Sequence, residues 1–234
     1  FGIEVNMKKG LFILLIFCCS LIIISCSDEE ESTTDKSTTD TTAPVIAEVT
    51  AVTTPNTDTT PDYTFSSTEA GTISYGGSCS SSTTISISGN NTITLDSLSD
   101  GTYSDCIIVV RGSTGYLSNI LTITTFIVDT TAPTVSSVST TADNQSSVAI
   151  TDSITVTFSE AMDTTTITTN TSNSTCSGTM RVSSDNFSNC FQMASSPASS
   201  NSDKTFTLDP SDNLTEGTTY LTRVTTGVKD AAGN

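Results

Sequence analysis

Apolar side chains in this chain recur at every second position, in runs of a few residues broken by glycine, asparagine and aspartate. Tyr63 and Phe65, Ile73 and Tyr75, Ile85 and Ile87, Ile93 and Leu95, Ile108 and Val110, and Leu121 and Ile123 each place two apolar side chains on one face of a short strand. Gly71, Gly76-Gly77, Gly89-Asn90-Asn91, Asp100-Gly101 and Gly112 stand between them, residues suited to turns. After Pro133 the pattern restarts at Val135 and Val138, followed by Ile154, Val156 and Phe158, Met180 and Val182, Phe206 and Leu208, and Tyr220 with Val224. Turns are expected at Asp143-Asn144, Asp209-Pro210 and Glu216-Gly217. A period of two alternates side chains between the faces of a sheet, whereas a helix needs a period near 3.6. Only the stretch after Ser159-Glu160-Ala161-Met162-Asp163 leaves room for a short turn of helix. The expected fold is all-β, a sandwich of about seven strands in the first half and a second sandwich after it.

The restart coincides with a repeated string. Asp-Thr-Thr-Ala-Pro occupies positions 40–44 and again 129–133, a period of about 90 residues, the size of a small domain. Proline fixes φ and cannot donate to a ladder, and threonine favours an extended chain, so the string suits the join between successive domains. Domain boundaries are accordingly expected at residues 44–131 and 132–234.

Composition removes whole classes of function. A formal charge of −17, from 25 acidic against 8 basic side chains, repels a phosphate backbone, so no nucleic-acid partner is expected. Histidine and tryptophan are both absent. The commonest general base, the commonest zinc ligand and the usual partner of a catalytic serine are therefore missing. Glu160 and Asp163 form a carboxylate pair in sequence, but nothing near them points to a substrate cleft. The expectation is a protein without catalytic activity.

The N-terminal region reads as an address. Met7 is taken as the start, Lys8 and Lys9 as a basic n-region, and Leu11 to Ile24 as an apolar stretch short of the roughly 20 residues that span a bilayer. Residues 7–25 are thus expected to be a signal peptide, in which Cys18 and Cys19 leave with the leader. Ile23-Ile24-Ser25-Cys26 resembles the lipobox of bacterial lipoproteins, which implies cleavage before Cys26 and a lipid on its side chain. Ser27-Asp28-Glu29-Glu30-Glu31 follows, and no apolar residue occurs between Cys26 and Ala43. Residues 26–43 are therefore expected to be a disordered acidic tether. Acidic residues just after the lipidated cysteine resemble the surface-export signal of Bacteroidetes-type lipoproteins, and Ser27 at the second mature position implies the outer membrane by the enterobacterial sorting rule. Both place the protein on the cell envelope, outer membrane or surface.

Three longer motifs carry a family resemblance. SITVTFSEAMD (Ser153 to Asp163), LDPSDNLTEGTTY (Leu208 to Tyr220) and GVKDAAGN (Gly227 to Asn234) together resemble the Ig-like domain of bacterial S-layer proteins, the SbsA type. YTFSSTEAGTISYGGSC (Tyr63 to Cys79), LDSLSDGTYSDC (Leu95 to Cys106) and FIVDTTAP (Phe126 to Pro133) resemble a different bacterial Ig-like repeat found in tandem surface arrays. The resemblance implies two tandem Ig-like β-sandwiches, and a closing strand beyond the AAGN motif, so that the second domain is expected to be truncated at Asn234. It implies a non-catalytic, lipid-anchored cell-envelope protein whose repeats form a stalk or display surface. The alternatives are an adhesin for a host or neighbour-cell protein or glycan, and a spacer for a hydrolase domain further along.

Four cysteines remain beyond the anchor: Cys79, Cys106, Cys176 and Cys190. A secreted context permits disulfides, and of the three pairings only Cys79–Cys106 with Cys176–Cys190 keeps both bridges within domains. Zinc is the rival reading, without the CxxC spacing it prefers. Tyr103 is a candidate tyrosine corner, although it precedes Cys106 by three residues where antibody domains use two. Asp129, Asp163 and Asp230 stand where tandem Ig-like adhesins often hold calcium between domains. No DxDxDG loop accompanies them, so turn-forming aspartates are the simpler expectation and no cofactor is assigned.

Overall fold

The computed structural model describes residues 40–139 and 149–234. The expected leader, the Cys26 anchor, the acidic segment up to Thr39 and the Asp143-Asn144 turn lie outside the described residues. Those described fold into strands and turns without an α-helix, as alternation requires.

The first part holds nine strands: β1 (Ile46–Thr50), β2 (Asp62–Ser67), β3 (Gly71–Gly76), β4 (Ile85–Ser86), β5 (Gly89–Thr94), β6 (Gly101–Tyr103), β7 (Ile107–Gly112), β8 (Leu121–Thr122) and β9 (Phe126–Val128). They form sheets in the orders β1-β2-β5, β4-β3-β7-β8 and β6-β9, with antiparallel pairing throughout. The inward positions of these sheets make one core, in which Tyr63, Phe65, Ile108, Val110 and Phe126 are fully buried. Glu48 stitches its edge, accepting from the Tyr63 hydroxyl at 3.1 Å and from the Thr124 amide and hydroxyl at 3.0 and 2.7 Å.

The second part adds β10 (Val135–Ser139), β11 (Ile154–Phe158), β12 (Met180–Ser183), β13 (Ala198–Ser200), β14 (Thr205–Leu208) and β15 (Leu221–Val224). Their sheets run β10-β11-β14-β13 and β12-β15. Ile154, Val156, Phe158, Met180, Val182, Phe206 and Leu208 fill a second core, separate from the first, and Phe158 meets Phe206 edge to face at 6.0 Å. Both cores lie within one compact unit, residues 40–234.

Each part has a bridge, Cys79–Cys106 inside the first core and Cys176–Cys190 in the second part. Each also has a tyrosine tied to backbone just upstream. Tyr103 donates to the Ser99 carbonyl at 2.8 Å and stacks on Phe126 at 5.2 Å, completing the expected corner. Tyr220 accepts from the Thr215 amide at 2.8 Å and packs edge-on against Phe191.

Three expectations change. Ile85 and Ile87 do share a face, but it is the outer one: they are 66% and 61% exposed, and Ser86 takes the buried position. The Ser86 hydroxyl can enter because it donates to the Gly71 carbonyl at 3.3 Å across the β3–β4 pair. Val135 is also exposed, because a register irregularity between Val135 and Ser137 interrupts the alternation of β10. The stretch after Asp163 forms a turn stabilised by its own side chain rather than a helix: Asp163 Oδ1 accepts from the Thr165 amide and hydroxyl at 2.9 and 2.7 Å.

Candidate functional site

The Asp-Thr-Thr string is a local hydrogen-bonding device before it is anything else. An aspartate oxygen can accept from the amide two residues on, which closes a small turn without help from the rest of the fold. Asp40 does so to Thr42, Asp58 to Thr60, Asp129 to Thr131 and Asp163 to Thr165. At the second Asp-Thr-Thr-Ala-Pro the turn is also gripped from outside. Asp100 accepts from the Thr130 amide and hydroxyl and from the Thr131 hydroxyl, at 3.0, 2.7 and 2.7 Å. These bonds hold the Asp100 carboxyl below its ordinary range, the Thr131 hydroxyl contributing most.

This pinned join delivers Asp129 to the end of the second core. There the side-chain oxygens of Asp129, Glu160 and Asp230 lie within 4.8 Å of one another. Glu160 is carried in by the chain leaving β11. Asp230 is brought by the turn before the end of the chain, which is tied to the same segment through the Met162–Asp230 bridge and the Asp163 amide to the Lys229 carbonyl at 2.9 Å.

The three carboxyls are in different surroundings. Asp230 is buried, and its Oδ1 accepts the amides of Ala232, Gly233 and Asn234 at 2.8, 2.7 and 3.0 Å. Its Oδ2 accepts from the Asn234 side-chain amide at 2.9 Å, and that same amide reaches the Asp129 carbonyl at 2.9 Å. The terminal Ala-Ala-Gly-Asn motif is therefore a clasp: it surrounds the Asp230 carboxyl with N–H donors and fastens the second core to the join. Glu160 has no such set of donors. Burial, together with the charges of Asp129 and Asp230 and a hydrogen bond shared with Asp129, raises its carboxyl above the ordinary glutamate value, with Lys204 offsetting part of the rise.

The three aspartates weighed as calcium candidates are thus redistributed. Asp129 and Asp230 meet, Glu160 joins them, and Asp163 lies apart, engaged with its own turn. Calcium takes about six to eight oxygens. Three carboxyls, one of whose oxygens is already surrounded by three N–H donors, fall short of that. By themselves the three carboxyls are not a complete calcium cage. The sequence showed Glu160 only as a pair with Asp163, since its neighbours in this group come from distant segments.

Residues 129–234 match the family model of the bacterial Ig-like domain, a family of non-catalytic structural domains. No curated protein and no solved structure matches the chain.

Proposed function

We propose that this chain is a lipid-anchored cell-envelope protein without catalytic activity, in which two Ig-like domains, residues 44–131 and 132–234, form a stalk or display surface. The observation that carries this reading is the match of residues 129–234 to the bacterial Ig-like domain, which suggests an extracellular or surface-exposed module. A separate disulfide-bridged sandwich core precedes that stretch. Two bridges suit an oxidising compartment outside the cytosol. The second domain is of the S-layer, SbsA type, on the strength of its SEAMD and AAGN motifs. The lipid sits on Cys26, so the chain is held at a membrane, in this reading the outer one, by its N-terminal end. The test is metabolic labelling with palmitate: label is expected on the wild-type chain and lost in Cys26→Ala. Label that persists in the variant contradicts the anchor.

An adhesin is the second reading. It is favoured by the segment between β7 and β8, where Tyr116, Leu117 and Ile120 are 47%, 61% and 66% exposed. Apolar side chains grouped on one exposed segment are commoner at binding surfaces than elsewhere.

A further inference from the structure

Basic residues are scarce here, 8 in the whole chain against 25 acidic ones, yet two of them face each other. Arg181 on β12 and Arg223 on β15 are direct cross-strand partners. Such partners stand about 5 Å apart at Cβ, and like charges in that position destabilise a sheet. An abundant carboxylate would be the obvious remedy, but among the described residues neither guanidinium is paired with one.

Both guanidiniums are instead held in place by uncharged groups. Arg181 donates from Nε to the Gly178 carbonyl at 2.8 Å, which leaves its terminal nitrogens to point elsewhere. Arg223 lies over the Phe187 ring with its Cζ 3.7 Å from the centroid, so its N–H groups project around the ring in the guanidinium plane. Phe187 is held there at a cost. It and Asn186 have φ of 65° and 60°, values that a bulky L-residue rarely adopts. The turn survives because the Ser183 hydroxyl accepts the Phe187 amide at 2.9 Å and Asp185 accepts the Asn189 amide and side chain at 2.9 and 2.8 Å. Backbone strain, an aromatic platform and an arginine pair without a carboxylate thus occur together on β12, β15 and the turn after β12, with Arg223 exposed and Arg181 and Phe187 half-buried.

We infer that Arg181 and Arg223, with Phe187 beneath Arg223, bind a carboxylate carried on an otherwise uncharged glycan, that is, an isolated acidic sugar. Planar guanidiniums match a carboxylate with paired N–H···O bonds, and one such anion relieves the repulsion between them. The charge of the whole chain sets the carrier. At −17 it repels a polyanion, but screening over about 8 Å at physiological salt leaves the field close to the pair under the control of the two arginines. A single carboxylate on a neutral carrier meets the attraction without the repulsion. Leu221, two positions from Arg223 on the same face and 46% exposed, offers an apolar surface to the C–H side of a sugar ring. This site goes beyond the stalk reading and does not depend on the anchor.

The experiment is a titration of the purified chain with a glucuronate-containing disaccharide, its carboxyl-reduced counterpart, and a neutral peptide with a free C-terminal carboxylate. The chains compared are wild type, R181Q/R223Q and R111Q, the last removing an exposed arginine held by a similar bond to a carbonyl. The glucuronate probe is expected to bind the wild type and R111Q alike, at least tenfold more weakly to R181Q/R223Q, and more weakly as salt rises. The reduced sugar and the peptide are expected to bind at least tenfold more weakly than the glucuronate probe. R181Q/R223Q is expected to melt no lower than wild type, because it relieves repulsion. The inference is overturned by an absence of binding, by binding that survives R181Q/R223Q, by equal binding of the reduced sugar, by preference for the peptide, or by a double variant that melts lower and so reveals a structural role.

Discussion

Glu160 occupies the least favourable place in the join for an ionised carboxyl. Its folded value is raised above the ordinary one by burial and by Asp129 and Asp230. In the window between the two values the folded chain holds more protons than the unfolded one, so stability falls as pH rises through it and is regained on acidification. Glu160→Gln is expected to stabilise the fold at pH 7, by no more than about 1 kcal/mol because the site is partly solvated, and so to melt higher, with the gain vanishing below the ordinary glutamate value. Thermal melts of the two proteins between neutral and acid pH check this; a lower melting temperature for the variant at pH 7 contradicts it. Asp185 behaves with the opposite sign. Bonds from the Asn189 amide and side chain and from Ser183 hold its carboxyl down to about 2. Its contribution is present above the ordinary aspartate value and is lost as pH falls toward the depressed one. Asp185→Asn is expected to loosen the 184–189 turn at neutral pH, visible as faster proteolytic cutting there, with the difference from wild type narrowing in acid. At this scale the sequence showed the acids but not their company. Asp129 and Asp230 were legible as join residues because they lie in recognisable strings. Their contact with Glu160, and the pairing of Arg181 with Arg223, depend on register between segments that local pattern does not report.

Strands were legible because a period of two is a local property. Met180 with Val182 and Phe206 with Leu208 became buried pairs on β12 and β14 as alternation demands. What alternation cannot say is which of the two faces is inward. β4 is a two-residue strand at the edge of its sheet, where one polar group with a backbone partner is enough to turn the isoleucines outward. The consequence is testable by contrast. Ile108→Ala, at a fully buried position on β7, is expected to cost about 2–5 kcal/mol. Ile85→Thr, on the exposed side of β4, is expected to stay within about 0.5 kcal/mol of wild type. Urea denaturation of both gives the answer, and comparable losses would contradict the assigned face. The non-periodic segments, among them the Asn186-Phe187 turn and the chain between β11 and β12, carried no pattern to read; their shape is set by side-chain bonds such as those of Asp163, Thr179 and Ser183.

At the scale of the whole molecule the described residues form two cores, and each part of them carries a disulfide. The Cys79–Cys106 bridge joins residues 27 apart in sequence, and both its cysteines are buried in the first core. Replacing both by serine is expected to cost that core about 3 kcal/mol in the chain-entropy model. Because the second core shares none of those contacts, calorimetry is expected to show one transition falling and another unmoved. A single transition that shifts as a whole would contradict independent cores. The display reading rests on where these cores stand in the cell, and protease shaving of intact cells addresses that most directly. The account predicts that proteinase K added to intact cells releases a fragment carrying both cores, cut in the acidic segment ahead of Asp40. A chain that stays protected until the cells are broken open would contradict surface display.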